Sequence, residues 1–252
     1  MKEIIKSSST RIKTGLALLA GILIIGYIDS FFLMWLLLGG LLVIAISESQ
    51  KLYQMKVDSI YFYVGVLWFA AYFYPYAEDL TFVAAIIFAS ILAYTKTLDK
   101  KIFLPLFYPT ASFLFLLTLY TEYGVMSLLW LLVIVAGADI GAYFVGKSMG
   151  KTKFCETSPN KTVEGVAGGL VVATIFGIVF AIDNISIFGS IIISLLVALA
   201  SIFGDLFESY LKREADVKDS GNILPGHGGI LDRTDGYLFG AVVMLFILRA
   251  VL

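Results

Sequence analysis

The sequence predicts an all-α fold: a polytopic transmembrane helical bundle with about nine spans and a cytoplasmic N-terminus. Three observations carry this. Of 252 residues, 60% are hydrophobic and 15% charged, against roughly a quarter charged in an ordinary soluble domain, and the mean hydropathy is +0.93. The apolar residues fall into runs close to the roughly 17 to 20 that a bilayer-crossing helix needs. Between the runs, basic connections alternate with acidic ones.

Taken in order, the first run, 12–28, follows several lysines as the apolar core of a secretory signal does. No small-residue cleavage site comes after it, so it reads as an uncleaved first span. The next runs are 30–46, 58–75, 79–97, 103–121, 123–148, 163–182, 185–208 and 235–252. Several are short, and two adjacent ones could pair as a re-entrant hairpin. Pro75, Pro105, Pro109, Pro159 and Pro225 all lie at or near proposed ends, where a residue that cannot continue a helix belongs. There is no internal repeat and no long soluble domain. The expected organisation is one integral-membrane domain, with N-terminal spans over 1–122 and catalytic spans and cytoplasmic loops over 123–252.

Charge placement tests this map, because cytoplasmic loops collect lysine and arginine. With the N-terminus inside, the inner connections hold Lys2, Lys6, Arg11 and Lys13, then Lys51 and Lys56, then Lys96, Lys100 and Lys101. Further inner segments hold Lys147, Lys151, Lys153 and Lys161, and finally Lys212, Arg213, Lys218 and Arg233. The outer turns carry Asp29, Glu78, Asp79, Glu122 and Asp183. Only Arg249, of 18 basic residues, falls outside. Cys155 is alone, which excludes an internal disulfide, and one histidine with one distant cysteine does not make a zinc site.

Two inner connections concentrate polar chemistry. The first spans "YLKREADVKDSGNILPGHGGILDRTDGY", Tyr210 to Tyr237. Asp205, Ser209 and Lys212 lead into it at i, i+4, i+7 spacing, on one helical face. An acid in a membrane helix is costly and usually faces the bundle interior, although a helix-end acid paired with Lys212 would look the same. Asp232 and Asp235 are three residues apart at the entry to the last run. With Asp205 they could build an all-oxygen site, which suits magnesium; they could equally form ion pairs with Arg233. Gly226, Gly228 and Gly229 flank His227 and suit a loop wrapped around phosphate oxygens, or an ordinary turn.

The second connection runs through "GADIGAYFVGKSMGKTKFCETSPNKTVEGVAGG". Asp139 sits between Gly137 and Gly141, whose small-xxx-small spacing permits close helix packing. Lys147, Lys151 and Lys153 follow, then Ser158, Lys161, Thr162 and Glu164. The lysines could obey topology alone or hold a triphosphate through charge-assisted bonds. There is no Walker loop, Rossmann fingerprint or Ser/His/Asp arrangement. Phosphoryl or nucleotidyl transfer needs none, since it depends chiefly on positioning and electrostatics.

At these residues the chain resembles the phosphatidate cytidylyltransferase family, the CDP-diacylglycerol synthases. The family signature is filled by Ser209, Leu211, Lys212, Arg213, Lys218, Asp219, His227, Gly228, Gly229, Ile230, Asp232, Arg233, Thr234 and Asp235. "DIGAYFVGK" and "SPNKTVEG" add to the likeness, which covers roughly Gly137 to Gly236. The resemblance implies that CTP and phosphatidate give CDP-diacylglycerol and pyrophosphate, in phospholipid biosynthesis, with Mg2+ and room for a second cation. It implies Asp205, Asp232 and Asp235 as metal ligands and Lys212, Arg213, Lys218 and Arg233 as holders of phosphate, with Asp219 and His227 completing the catalytic set. Asp139, Ser158, Lys161, Thr162, Glu164, Ser209, Gly228 and Gly229 are the expected substrate-binding residues. The expected setting is the lipid bilayer, a bacterial cytoplasmic membrane with the site on its inner face, in a chain that is often a homodimer and has no nucleic-acid partner. Other readings are a CTP-dependent polyprenol or phytol kinase, a synthase acting on ether lipids, and a membrane transporter.

Overall fold

The structure, a computed structural model, describes residue 15 and residues 20–252 apart from Pro225 and His227. Among the described residues the fold is all-α, and the only β features are isolated bridges between Lys153 and Thr162 and between Leu224 and Gly228. The helices are α1 (20–28), α2 (Phe31–Leu52), α3 (Ile60–Phe73), α4 (Leu80–Thr95), a short α5 (Phe103–Pro105), α6 (Ser112–Met149), α7 (Val163–Val179), α8 (Ile187–Glu214) and α9 (Leu231–Val251). A π-type turn, Leu106–Ala111, joins α5 to α6. The central part of each proposed apolar run is helical where it is described, with ends that differ by a few residues; the first run lies partly outside the described residues. By length and composition, five stretches among the described residues could cross a membrane: Phe31–Leu52, Ala77–Thr95, Lys100–Met149, Ile187–Glu214 and Leu231–Val251. Ile60–Phe73 and Val163–Val179 are apolar but shorter.

The α6 helix shows how the sequence divides a long run. Its 38 residues would extend about 57 Å at 1.5 Å each, nearly twice the hydrocarbon thickness. It breaks at Gly124, whose φ of 73° and ψ of −179° leave the helical region, a conformation glycine adopts without steric cost. Ser127 Oγ lies 2.7 Å from Gly124 O and 3.0 Å from Leu119 O, so a hydroxyl serves carbonyls that the break releases. The expected boundary between 103–121 and 123–148 falls at this point.

The chain forms two compact units. One comprises the residues up to Leu117 together with Glu214–Arg233; the other comprises Thr118–Arg213 and Thr234–Leu252. In the first, α2 buries Met34, Leu38, Leu42, Ala45 and Ile46, an i, i+4 stripe of the helical period. It meets α3 through a reciprocal pair: Trp35 Nε1 donates to Trp68 O at 3.0 Å and Trp68 Nε1 to Trp35 O at 3.2 Å. At its end Tyr53 donates to Tyr108 O at 3.2 Å, and burial holds the Tyr53 hydroxyl above its usual range.

The second unit is built on a seam of small residues between α6 and α7. A Cβ on Gly141 would come within 2.6 Å of Gly168 O, and one on Gly169 within 2.6 Å of Ala138 O. Only glycine lets the backbones approach so closely, as the Gly137/Gly141 spacing predicts. Trp130 Nε1 reaches Gly177 O at 2.7 Å across the same pair. Arg249, the one basic residue assigned outside, is held by Glu122 through two bonds, Nε at 3.0 Å and Nη2 at 2.5 Å.

Candidate active site

In the second unit, α6, α7, α8 and the connection ahead of α7 enclose a cavity of about 530 Å³. Asp139, Tyr143 and Lys147 line it from α6, Asn160, Lys161 and Thr162 from the connection, and Ile202 and Asp205 from α8. Its principal charge contact joins Lys161 Nζ to Asp205 Oδ2 at 2.5 Å. Ser209 Oγ donates to Asp205 Oδ1 at 3.4 Å. Lys147 packs over the Tyr143 ring at 5.5 Å and reaches its hydroxyl at 3.4 Å.

The connection is shaped by local bonds. Thr162 caps α7, its Oγ1 accepting from Gly165 N at 3.1 Å, the standard role of a β-region threonine at that position. Glu164 turns back to accept from Lys151 N at 3.1 Å, Thr152 N at 3.2 Å and Thr152 Oγ1 at 2.9 Å. Ser158 contributes its carbonyl, which accepts from Lys161 N at 3.0 Å. Thr162 lines the cavity, and Glu164 folds the connection back onto Lys151 and Thr152.

The α8 face carries a second acid that sequence reasoning passed over. Glu208 is fully buried and pairs with Lys212 at 3.4 Å. Asp235, in α9, accepts from Gly236 N at 2.7 Å and lies within electrostatic reach of Glu208, Asp205 and Asp139. Lys212 thus belongs to Glu208, and Asp205 to Lys161. Arg213 is exposed.

The first unit holds the signature loop. Lys218, Asp219, Asn222, Leu224, Gly226, Gly228 and Arg233 surround a polar cavity of about 350 Å³. Asp232 Oδ2 accepts three bonds, from Ser220 N, Ser220 Oγ and Gly229 N, each at 2.8 Å. Gly228 has a φ of +86°, and a Cβ there would meet Asp232 Oδ2 at 2.7 Å, so the glycine is required twice over. His227 lies outside the described residues.

Comparison with known proteins places this arrangement. Residues 9–251 match the model of a cytidylyltransferase family. The chain belongs to the cytidylyltransferase family. A phosphatidate cytidylyltransferase of Helicobacter pylori is 42% identical over 245 residues, covering 96% of this chain and 92% of that one. One from Staphylococcus saprophyticus is 35% identical over 82% of this chain and 90% of its own length, and one from Thermotoga maritima 33% over 84% and 86%.

Family membership sharpens the question of a metal. Asp139, Asp205, Glu208 and Asp235 supply carboxylate oxygens and no soft donor, the chemistry that a hard cation such as Mg2+ prefers. In this arrangement Lys161 occupies Asp205, and among the described residues no three His, Cys, Asp or Glu side chains converge as a ready-made metal site. The donor chemistry suits a hard cation, and Lys161 already sits on Asp205 Oδ2. Asp232, the third acid expected as a ligand, has one oxygen committed to the loop.

Sequence reasoning missed Glu48 as well as Glu208. Glu48 lies in α2, is only 3% exposed, and bonds to the signature loop. A lone acid near the C-terminal end of an apolar run, in "IAISESQK", was the available signal.

Proposed function

We propose that this chain transfers the cytidylyl group of CTP to phosphatidate, forming CDP-diacylglycerol and releasing pyrophosphate. The observation that carries the reading is likeness over nearly the whole chain to relatives named phosphatidate cytidylyltransferase. A phosphatidate oxygen attacks the α-phosphorus of CTP, the bond from that phosphorus to the oxygen bridging to the β-phosphate breaks, and pyrophosphate leaves. A phosphate monoester with a second pKa of about 6 is largely dianionic at pH 7, so the nucleophile needs no general base.

The residues then have electrostatic work. Lys147 and Lys161 in one cavity, and Lys218 and Arg233 in the other, hold phosphate oxygens by charge-assisted bonds. Asp205 and Asp235 are the proposed holders of Mg2+. When bound, that cation neutralises charge on the phosphates. Lys161, paired with Asp205 in the structure, would exchange that partner for a substrate phosphate. The proposed setting is a bacterial cytoplasmic membrane, with nine spans, the N-terminus inside, and both polar loops on the cytosolic face where CTP is. The one-sided distribution of lysine and arginine supports it.

Purified protein in detergent, given phosphatidate, CTP and magnesium, should release pyrophosphate only when both substrates are present. A CTP-dependent lipid kinase would release CDP instead, and a transporter neither. Either result would end this reading.

A further inference from the structure

We propose that Glu48 is a positioning residue for the reaction: from α2 it fixes the loop that presents Lys218, Asp219 and Arg233. The proposal rests on the cytidylyl-transfer reading for the part the loop plays. Its grounds are geometric. Both Glu48 oxygens are used: Oε1 accepts from Ile230 N at 3.0 Å, and Oε2 from Leu231 N at 2.8 Å and from Ser220 Oγ at 3.1 Å.

Ile230 and Leu231 stand at the start of α9, where amide groups have no partner within the helix. A helix usually solves this with a Ser, Thr, Asp or Asn immediately before it. Here that position is Ile230, whose side chain accepts nothing. The cap comes instead from a carboxylate 182 residues away. A carboxylate suits this place, since the helix start favours negative charge.

Two glycines record the same contact independently. A Cβ on Gly221 would meet three Glu48 atoms first, Cδ at 2.8 Å and Cγ at 3.1 Å among them. A Cβ on Gly229 would meet Glu48 Oε1 at 2.5 Å. The loop's glycine spacing is thus fitted to the Glu48 carboxylate. The contact also reaches Asp232. Ser220 Oγ lies 2.8 Å from Asp232 Oδ2 and 3.1 Å from Glu48 Oε2, yet a hydroxyl carries one proton, so the two carboxylates share one donor. Changing Glu48 alters how Asp232 is held.

The test uses full-length protein in detergent and two readouts. In Glu48→Gln the amide nitrogen cannot accept, so at least one of the three bonds is lost. We expect kcat per folded molecule to fall about tenfold or more, the scale of one lost charge-assisted bond. Glu48→Asp should recover part of it. Amide exchange at Ile230 and Leu231 should quicken at least as much in Glu48→Gln. Gly221→Ala should also lower kcat, and its further cost should shrink in a Glu48→Ala background, because the crowding atoms are gone. A purely structural role would reduce the yield of folded protein and leave kcat and exchange of the survivors unchanged; that result overturns the proposal. The exchange arm needs no substrate. If the wild type makes no CDP-lipid, the function reading fails, and exchange alone decides whether Glu48 holds the loop; unchanged exchange then refutes the tie.

Discussion

The two polar loops are held by opposite means. The connection ahead of α7 is tied by its own neighbours: Thr162 caps the helix three residues on, and Glu164 reaches back 12 or 13 residues to Thr152 and Lys151. The signature loop has an internal tie at Asp232 but is also held from far away, by a carboxylate buried in α2. The Glu164 ties are exposed to solvent and the Thr162 cap is half-buried, whereas the remote tie is buried. Water can replace a bond at an exposed tie, so its loss costs little. A buried acceptor leaves its donors with nothing. The loop with the denser signature is therefore the more fragile to a change outside itself.

The largest expected effects separate chemistry from tying. Asp205→Asn and Asp235→Asn should each lose about a hundredfold or more in CDP-lipid formation while remaining folded, because a cation's stabilisation of the transition state is worth several kcal/mol. Raising magnesium should restore part of the Asp205→Asn loss. Asp232→Asn should lose activity too, but through a loosened loop: its loss should not respond to magnesium, and Gly229 amide exchange should rise. A magnesium-rescued Asp232 variant with unchanged exchange would break the distinction between the two acids.

Much of this was legible in the sequence, and the reason is locality. Run lengths gave the helices, the Gly137/Gly141 spacing gave the close α6–α7 seam, and Lys218, Asp219 and Arg233 of the signature line one cavity. The partners were not legible. Asp205 could be placed on a face with Lys212, but helical spacing cannot say that Glu208 takes Lys212 while Lys161 takes Asp205. Glu48 was hidden because two of its three donors are backbone amides, of Ile230 and Leu231, which leave no mark in the residue types. Nor does any local pattern mark that Glu214–Arg233 packs in one compact unit with the residues up to Leu117.

Smaller effects sharpen the contrast. Lys161→Ala should slow turnover about tenfold, since one charge-assisted phosphate bond is removed; unchanged turnover at limiting CTP would make it a topology charge. Glu164→Gln should change turnover only a few-fold, as an exposed local tie, and a loss matching Glu48→Gln would contradict the comparison. In a Cys155→Ser background, cysteine at the exposed Asn222 should label only from the cytoplasmic side and cysteine at Asp183 only from outside. The smallest change is Arg249→Ala, an exposed pair worth about 0–1 kcal/mol, with activity unaltered and thermal unfolding shifted by a few degrees at most.

The central claim is that the cytidylyl group, not the terminal phosphate, moves to the lipid. Membranes carrying the wild-type chain can be given phosphatidate and CTP labelled in turn at the α- and the γ-phosphorus. The α-label should appear in the lipid fraction and the γ-label only in pyrophosphate. Label from the γ-position in the lipid, with none from the α-position, would contradict the account.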